Sequence, residues 1–190
     1  MSQEFYQDQT FTQIDYTQQV FPKGEYDNCT FVNCKFENVD LAVMTFLECT
    51  FDTCDLTNAK VKSTSLNEID FVNCKLLGVD FSICNDFMFS VNFKACNLEL
   101  ASFAGLAIKQ TEFNGCNLQK VDFTETNLER VVFDDCDLKA AIFEQTNLEK
   151  ADFTTARNYT IDPTQNQLKK AKFSRKEIHG LLTKYDIVVK

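Results

Sequence analysis

The sequence predicts an all-β fold, a solenoid of short strands and turns wound around a filled apolar lumen. Three observations predict it. Apolar residues recur at every fifth position, residue identities recur at every twentieth, and a small residue stands two places before each apolar one. A five-residue period matches neither an α-helix nor an isolated strand. It matches a unit of one short strand and one turn.

The five-residue period runs from Phe31 through Phe36, Leu41, Phe46, Phe51, Leu56, Val61, Leu66, Phe71 and Leu76 to Phe81. It resumes at Phe93 and continues through Leu98, Phe103, Ile108 and Phe113 to Phe153, giving unbroken runs of eleven and thirteen. In a chain that is 44% hydrophobic, chance produces such runs less than about once in ten million. Cys29, Cys34, Val39, Ala59, Val121 and Thr126 are among the small residues two places upstream. Asp or Asn often stands between, as at Asp40, Asp55, Asp80, Asn97, Asn117 and Asp122.

The longer period stacks like on like. Phe11, Phe31, Phe51 and Phe71 lie twenty apart, as do Phe93, Phe113, Phe133 and Phe153, and the step from Phe71 to Phe93 is 22. With those two extra residues set aside, Cys34, Cys54, Cys74, Cys96, Cys116 and Cys136 form a second column. Coils of twenty residues, one strand spacing apart, make a rod of roughly 35 Å. Its lumen is packed with Phe, Leu, Cys, Val and Ala, and is a core instead of a channel.

The unit A/C/V/T-D/N-L/F-x-x resembles the repeat of the pentapeptide-repeat family, over residues from about 9 to 156. The resemblance implies a right-handed quadrilateral parallel β-helix, four units to a coil. Residues 1–8 are expected to be a loosely ordered lead-in, 9–156 the β-helix, and 157–190 a capping or dimerisation tail.

At the N-terminus, Met1-Ser2-Gln3-Glu4-Phe5 has neither a basic nor an apolar leader region. No apolar run has membrane-spanning length. A cytoplasmic location is expected, with the nine Cys reduced. Stacked Cys would have Cα atoms within disulfide range. Their side chains point the same way into a packed lumen, so small hydrophobic filling is the expected role.

Two places break the pattern. The extra residues fall within Cys84-Asn85-Asp86-Phe87-Met88-Phe89-Ser90. Phe87 and Phe89 cannot both point inward there, so the segment is either a bulge that re-enters register or an exposed apolar contact site. In the tail, Ala171-Lys172-Phe173 restores one unit. Ser174-Arg175-Lys176-Glu177 then reads as a capping box. Ile178, Leu181, Leu182 and Tyr185 follow as the stripe of a short α-helix, and Ile187-Val188-Val189 ends the chain. A helix this short must dock. It either caps its own last coil or covers a partner in a two-fold dimer. The tail resembles those of Qnr, MfpA and McbG-type members, which implies the homodimer.

The chemistry for catalysis is sparse. His179 is the single histidine and lies in the tail, the five Gly form no phosphate loop, and no CxxC pair suggests zinc. No enzymatic activity, metal or cofactor is expected. Charge is more informative. The formal net charge of −9 divides into +5 after Ala156 (eight Lys/Arg, three Asp/Glu) and −14 before it (11 Lys/Arg, 25 Asp/Glu). An acidic body argues against a general nucleic-acid binder, because neutralising phosphates needs a basic surface. The wall built on Phe31 through Phe153 carries Asp52, Asp70, Glu112, Asp134, Asp135 and Asp152 against Lys94. The next carries Glu25, Asp27, Glu48, Glu68, Glu129 and Glu149 against Lys109, Arg130 and Lys150. The resemblance implies a DNA mimic that binds DNA gyrase or topoisomerase IV and modulates quinolone or toxin sensitivity. Such members carry long projecting loops, whereas this chain has a two-residue insert. The alternative is a structural or interaction module for a different cytoplasmic protein, with the charge serving solubility.

Overall fold

The computed structural model describes residues 4–187 and is a parallel β-solenoid with almost no helix. One sheet has four strands: β1 (Glu4–Gln7), β3 (Gly24–Asp27), β5 (Thr45–Leu47) and β7 (Ser65–Asn67). The other has nine. It runs through β2 (Thr10–Thr12), β4 (Thr30–Val32), β6 (Thr50–Asp52), β8 (Ile69–Val72), β9 (Val91–Lys94), β10 (Glu112–Asn114), β11 (Val132–Asp134), β12 (Asp152–Phe153) and β13 (Lys172–Phe173). Register follows the sequence columns: Phe11 pairs with Phe31, Phe31 with Phe51, Phe51 with Phe71, and Phe113 with Phe133. Single bridges such as Asp55–Lys75, Ser102–Asp122 and Asn127–Asn147 keep the same twenty-residue step on the remaining sides.

Each part of the repeat has a physical reason. The residue at the five-fold position is buried: Phe31, Phe93, Phe103, Phe113 and Phe123 are essentially inaccessible. Rings of one column lie parallel, 4.7 Å apart for Phe31–Phe51 and 5.2 and 5.3 Å on either side of Phe113. Neighbouring columns meet edge to face, as Phe103 and Phe113 do at 6.0 Å and 82°. Both arrangements suit the aromatic quadrupole. The Asp or Asn before it closes the corner: its side-chain oxygen accepts the amide two residues on, as from Asp40 to Ala42 (2.9 Å), Asn117 to Gln119 (3.1 Å) and Asp122 to Thr124 (2.9 Å). The next corner residue has positive φ, which suits Asn28, Asn33, Asn58 and Asn73. Val43 (φ 63°) and Leu100 (φ 63°) adopt it at greater steric cost.

The ladder reaches past both expected limits. Residues 4–7, expected as a loose lead-in, form β1 in register with β3. Gly24 allows this pairing, because a Cβ there would strike the Glu4 carbonyl oxygen. Beyond Ala156, Arg157 bridges to Asp137, Gln167 to Asn147, and Phe173 stacks on Phe153 at 5.1 Å.

The insert re-enters register. Ser65 bridges to Asn85, a step of 20, and Ile69 pairs with Val91, a step of 22. Phe89 turns inward and packs on Phe81 at 6.3 Å, whereas Phe87 and Met88 face outward, 74% and 61% exposed.

The tail departs from expectation. In place of an α-helix it forms two 3-10 turns, Ile178–Leu181 and Thr183–Tyr185. The capping box does not form. Ser174 Oγ accepts the Lys176 amide at 3.2 Å, and the Glu177 carboxylate accepts the Asn158 amide at 3.0 Å instead of reaching back to Ser174. Tertiary contacts outcompete the local cap. Gly180 lies against Tyr159 so closely that a Cβ would meet its carbonyl oxygen, and its own carbonyl accepts the Ile161 amide at 3.0 Å. Val188 and Val189 of the terminal apolar stretch lie outside the described residues.

Candidate functional site

The six acids singled out from the sequence share one sheet or its rim. Asp52 ends β6, Asp70 lies in β8, Glu112 opens β10, Asp134 ends β11, Asp135 follows it at the corner, and Asp152 opens β12. Five of them fall in two outward columns, and Asp135 sits at the adjoining corner with positive φ. One reads Thr10, Thr30, Thr50, Asp70, Asn92, Glu112, Val132, Asp152, Lys172. The other reads Val32, Asp52, Val72, Lys94, Asn114, Asp134.

Their electrostatics differ along the rod. Asp135 pairs with Arg157 at 2.5 Å and Asp152 with Lys172 at 2.9 Å, so the basic tail neutralises the C-terminal end of the wall. Partial burial would raise the Asp152 carboxyl, but hydrogen bonds from Thr154 and Lys172 outweigh it and hold it below the usual carboxylate range. Among the described residues, Asp52, Asp70, Glu112 and Asp134 take part in no ion pair within 4.0 Å. Asp70 accepts from Asn92 at 3.2 Å and Asp134 from Asn114 at 3.2 Å, which orients them without cancelling charge. Asp70, Asn92, Lys94, Glu112 and Asn114 line a shallow depression at the middle of the wall. The wall residues named from the sequence end at Asp152 and do not include Arg157 and Lys172. Their positions, twenty beyond Asp137 and Asp152, carry the signal.

The cysteines have a further role beside packing. Each thiol of the ladder donates to a carbonyl of the preceding coil: Cys54 to Phe31 (3.3 Å), Cys74 to Phe51 (3.2 Å), Cys96 to Phe71 (3.3 Å), Cys116 to Phe93 (3.5 Å), Cys136 to Phe113 (3.3 Å). Thr126 and Thr146 make the same bond to Phe103 and Phe123. Asn166 makes it to Phe143 with its amide. The small inward position thus satisfies a buried carbonyl as well as filling space. Burial pushes the Cys49 and Cys84 thiols up to about 12, as expected of protonated packing groups.

In the tail, Ile178 and Tyr185 are exposed at 38% and 52%, and Leu181 and Leu182 are half-buried. Lys184 reaches Asp162 at 3.0 Å and ties the tail to the last coil of its own chain. No helix among the described residues is long and apolar enough to cross a membrane.

A family model described as "Pentapeptide repeat region" matches residues 24–103, 86–157 and 106–181. No curated protein sequence matches the chain. Among solved structures, HetL from the cyanobacterium Nostoc sp. strain PCC 7120 is described as a pentapeptide repeat protein involved in heterocyst differentiation regulation. It superposes with a TM-score of 0.65 at 15% identity, over 90% of this chain and 86% of HetL. Two trypsin-treated variants of QnrB1, a plasmid-mediated fluoroquinolone resistance protein, give TM-scores of 0.58 and 0.51 at 18% and 19% identity. They cover 98% of this chain and 92% and 100% of their own. Repeat unit, parallel register and family match agree, and the chain belongs to the pentapeptide-repeat family.

Proposed function

We propose that the protein is a non-enzymatic, cytoplasmic binder, wound as a right-handed quadrilateral rod, whose acidic wall takes the place of DNA on a type II topoisomerase. The observation that carries this reading is the run of Asp52, Asp70, Glu112 and Asp134 along one face, with no cation among the described residues paired to them. Uncompensated carboxylates on a stiff surface present an ordered negative field to a basic groove. The fold shared with QnrB1 suggests which basic groove to test. In this reading the outward side chains of the tail, Ile178 and Tyr185, with Leu181 and Leu182 behind them, join two copies end to end.

The test is a gyrase and topoisomerase IV supercoiling and decatenation assay with the purified protein, beside DNA-competition binding. Inhibition or quinolone protection should weaken roughly tenfold or more in a variant with Asp52→Asn, Asp70→Asn, Glu112→Gln and Asp134→Asn. No effect of the unmodified protein over a wide concentration range sinks the topoisomerase reading. The fold shared with HetL favours a second reading, an adaptor for a different regulatory protein. Recovery of another partner through the same acidic wall would support it.

A further inference from the structure

One corner of the rod reverses its charge from end to end. The outward corner residues beside β3, β5 and β7 and their continuation are, in stacking order, Asn28, Glu48, Glu68, Met88, Gln110, Arg130, Lys150 and Lys170, all with positive φ, and at the insert Ser90 follows Met88 and leads into β9. Backbone bonds fix that order, with the Glu48, Gln110, Arg130 and Lys150 amides donating to Asn67, Glu129, Glu149 and Lys169. Pairing of Ile69 with Val91 and of Phe93 with Phe113 carries it across the insert. Glu48 and Glu68 are exposed and take part in no ion pair among the described residues. Below them positive charge is in surplus: Lys150, Arg130 and Lys109 all converge on the single Glu129 carboxylate, at 2.9, 3.7 and 4.0 Å. At the midpoint, beside Ser90, the outward Phe87 and Met88 stand clear of the surface.

We propose that this corner is a contact between two copies of the chain lying side by side and antiparallel. A two-fold axis between Met88 and Gln110 sets Glu68 opposite the partner's Arg130 and Glu48 opposite the partner's Lys150. Asn28 then faces the partner's Lys170. Coils are equally spaced, so all these pairs meet together. Phe87 and Met88 fall near the axis, where each copy covers the other's apolar residues. A parallel arrangement would oppose like charges, so the gradient also selects the direction. This contact uses the flank of the rod and is independent of the tail and of the topoisomerase reading.

The test is sedimentation of the full chain, with Ile178→Lys and Tyr185→Lys in every sample to remove association through the tail. The parent should dimerise at low salt and dissociate as salt rises. Glu48→Lys/Glu68→Lys alone, and Arg130→Glu/Lys150→Glu alone, should each dimerise roughly tenfold more weakly or worse. An equimolar mixture of the two should recover dimers, because both halves of the contact are complementary again. Glu48, Glu68 and Arg130 are exposed and Lys150 is half-buried, so the Glu48→Lys/Glu68→Lys melt should match the parent, and Arg130→Glu/Lys150→Glu, which loses the pairs to Glu129, should melt slightly lower in one transition. Phe87→Ser/Met88→Ser should weaken the parent dimer without altering its fold. A parent that stays monomeric overturns the proposal. So do charge variants that dimerise like the parent, a mixture that stays monomeric, or a Phe87→Ser/Met88→Ser dimer of unchanged affinity.

Discussion

The stack from Phe93 to Phe153 and the tail from Arg157 to Ile187 are built on one register and held in opposite ways. In the stack every coil repeats the same contacts: a ring on a ring, a thiol or hydroxyl on a carbonyl, an Asx turn at the corner. In the tail the register survives from Asn166 through Gln167 to Lys172 and Phe173, but the chain between Arg157 and Asn166 leaves the pentapeptide path. Tyr159, Ile161 and Asn166 turn inward, and single contacts through Gly180, Glu177 and Lys184 hold the segment down. Repetition distributes stability over many equal contacts. A cap depends on a few that have no substitute.

The largest test of that contrast is paired truncation. Phe113→Ala should cost about 3–5 kcal/mol, because its cavity is walled by Phe93 and Phe133 and cannot collapse. Phe173→Ala, at a half-buried position, should cost about 1–2 kcal/mol. Urea unfolding of both variants measures the difference, and equal costs would break the comparison. Next is Gly180→Ala, where the new Cβ collides with the Tyr159 carbonyl. It should cost about 1–3 kcal/mol and appear mainly as faster amide exchange in residues 158–187, with the stack still protected.

The smallest effect is in pH. Bonds from the Thr164 amide and hydroxyl, and then from Lys184, hold the Asp162 carboxyl below its ordinary value. A carboxyl depressed in the folded state stabilises above its unfolded pKa, and that contribution is lost as pH falls through the folded value. Exchange in the tail should therefore quicken below about pH 4, the ordinary Asp range. An Asp162→Asn variant should lack this acid-dependent step.

The residues differ in how far the sequence reveals them. Phe113 and Cys116 are legible because each repeats at five and at twenty, so its neighbours in space are neighbours in the pattern. The acidic wall was legible for the same reason. Its partial neutralisation by Arg157 and Lys172 was not, because those cations lie beyond the unbroken five-residue run that ends at Phe153. The capping box at Ser174–Glu177 misled because a local motif competes with whatever else the carboxylate can reach, and Glu177 reaches Asn158. Phe87 and Phe89 were undecided by spacing. Only the step of 22 between Ile69 and Val91, closed across a bulge, selects Phe89 for the lumen.

By itself the sequence determined the coil length, the stacking columns and the inward residues. Each follows from a repeated local demand that apolar groups be buried and corners be closed. Only the tertiary structure decided what happens where repetition stops: the strand at Glu4–Gln7, the outward Phe87 and Met88, and the 3-10 turns folded onto Tyr159. Those outcomes rest on single long-range contacts, and a contact made once leaves no period in the sequence to read.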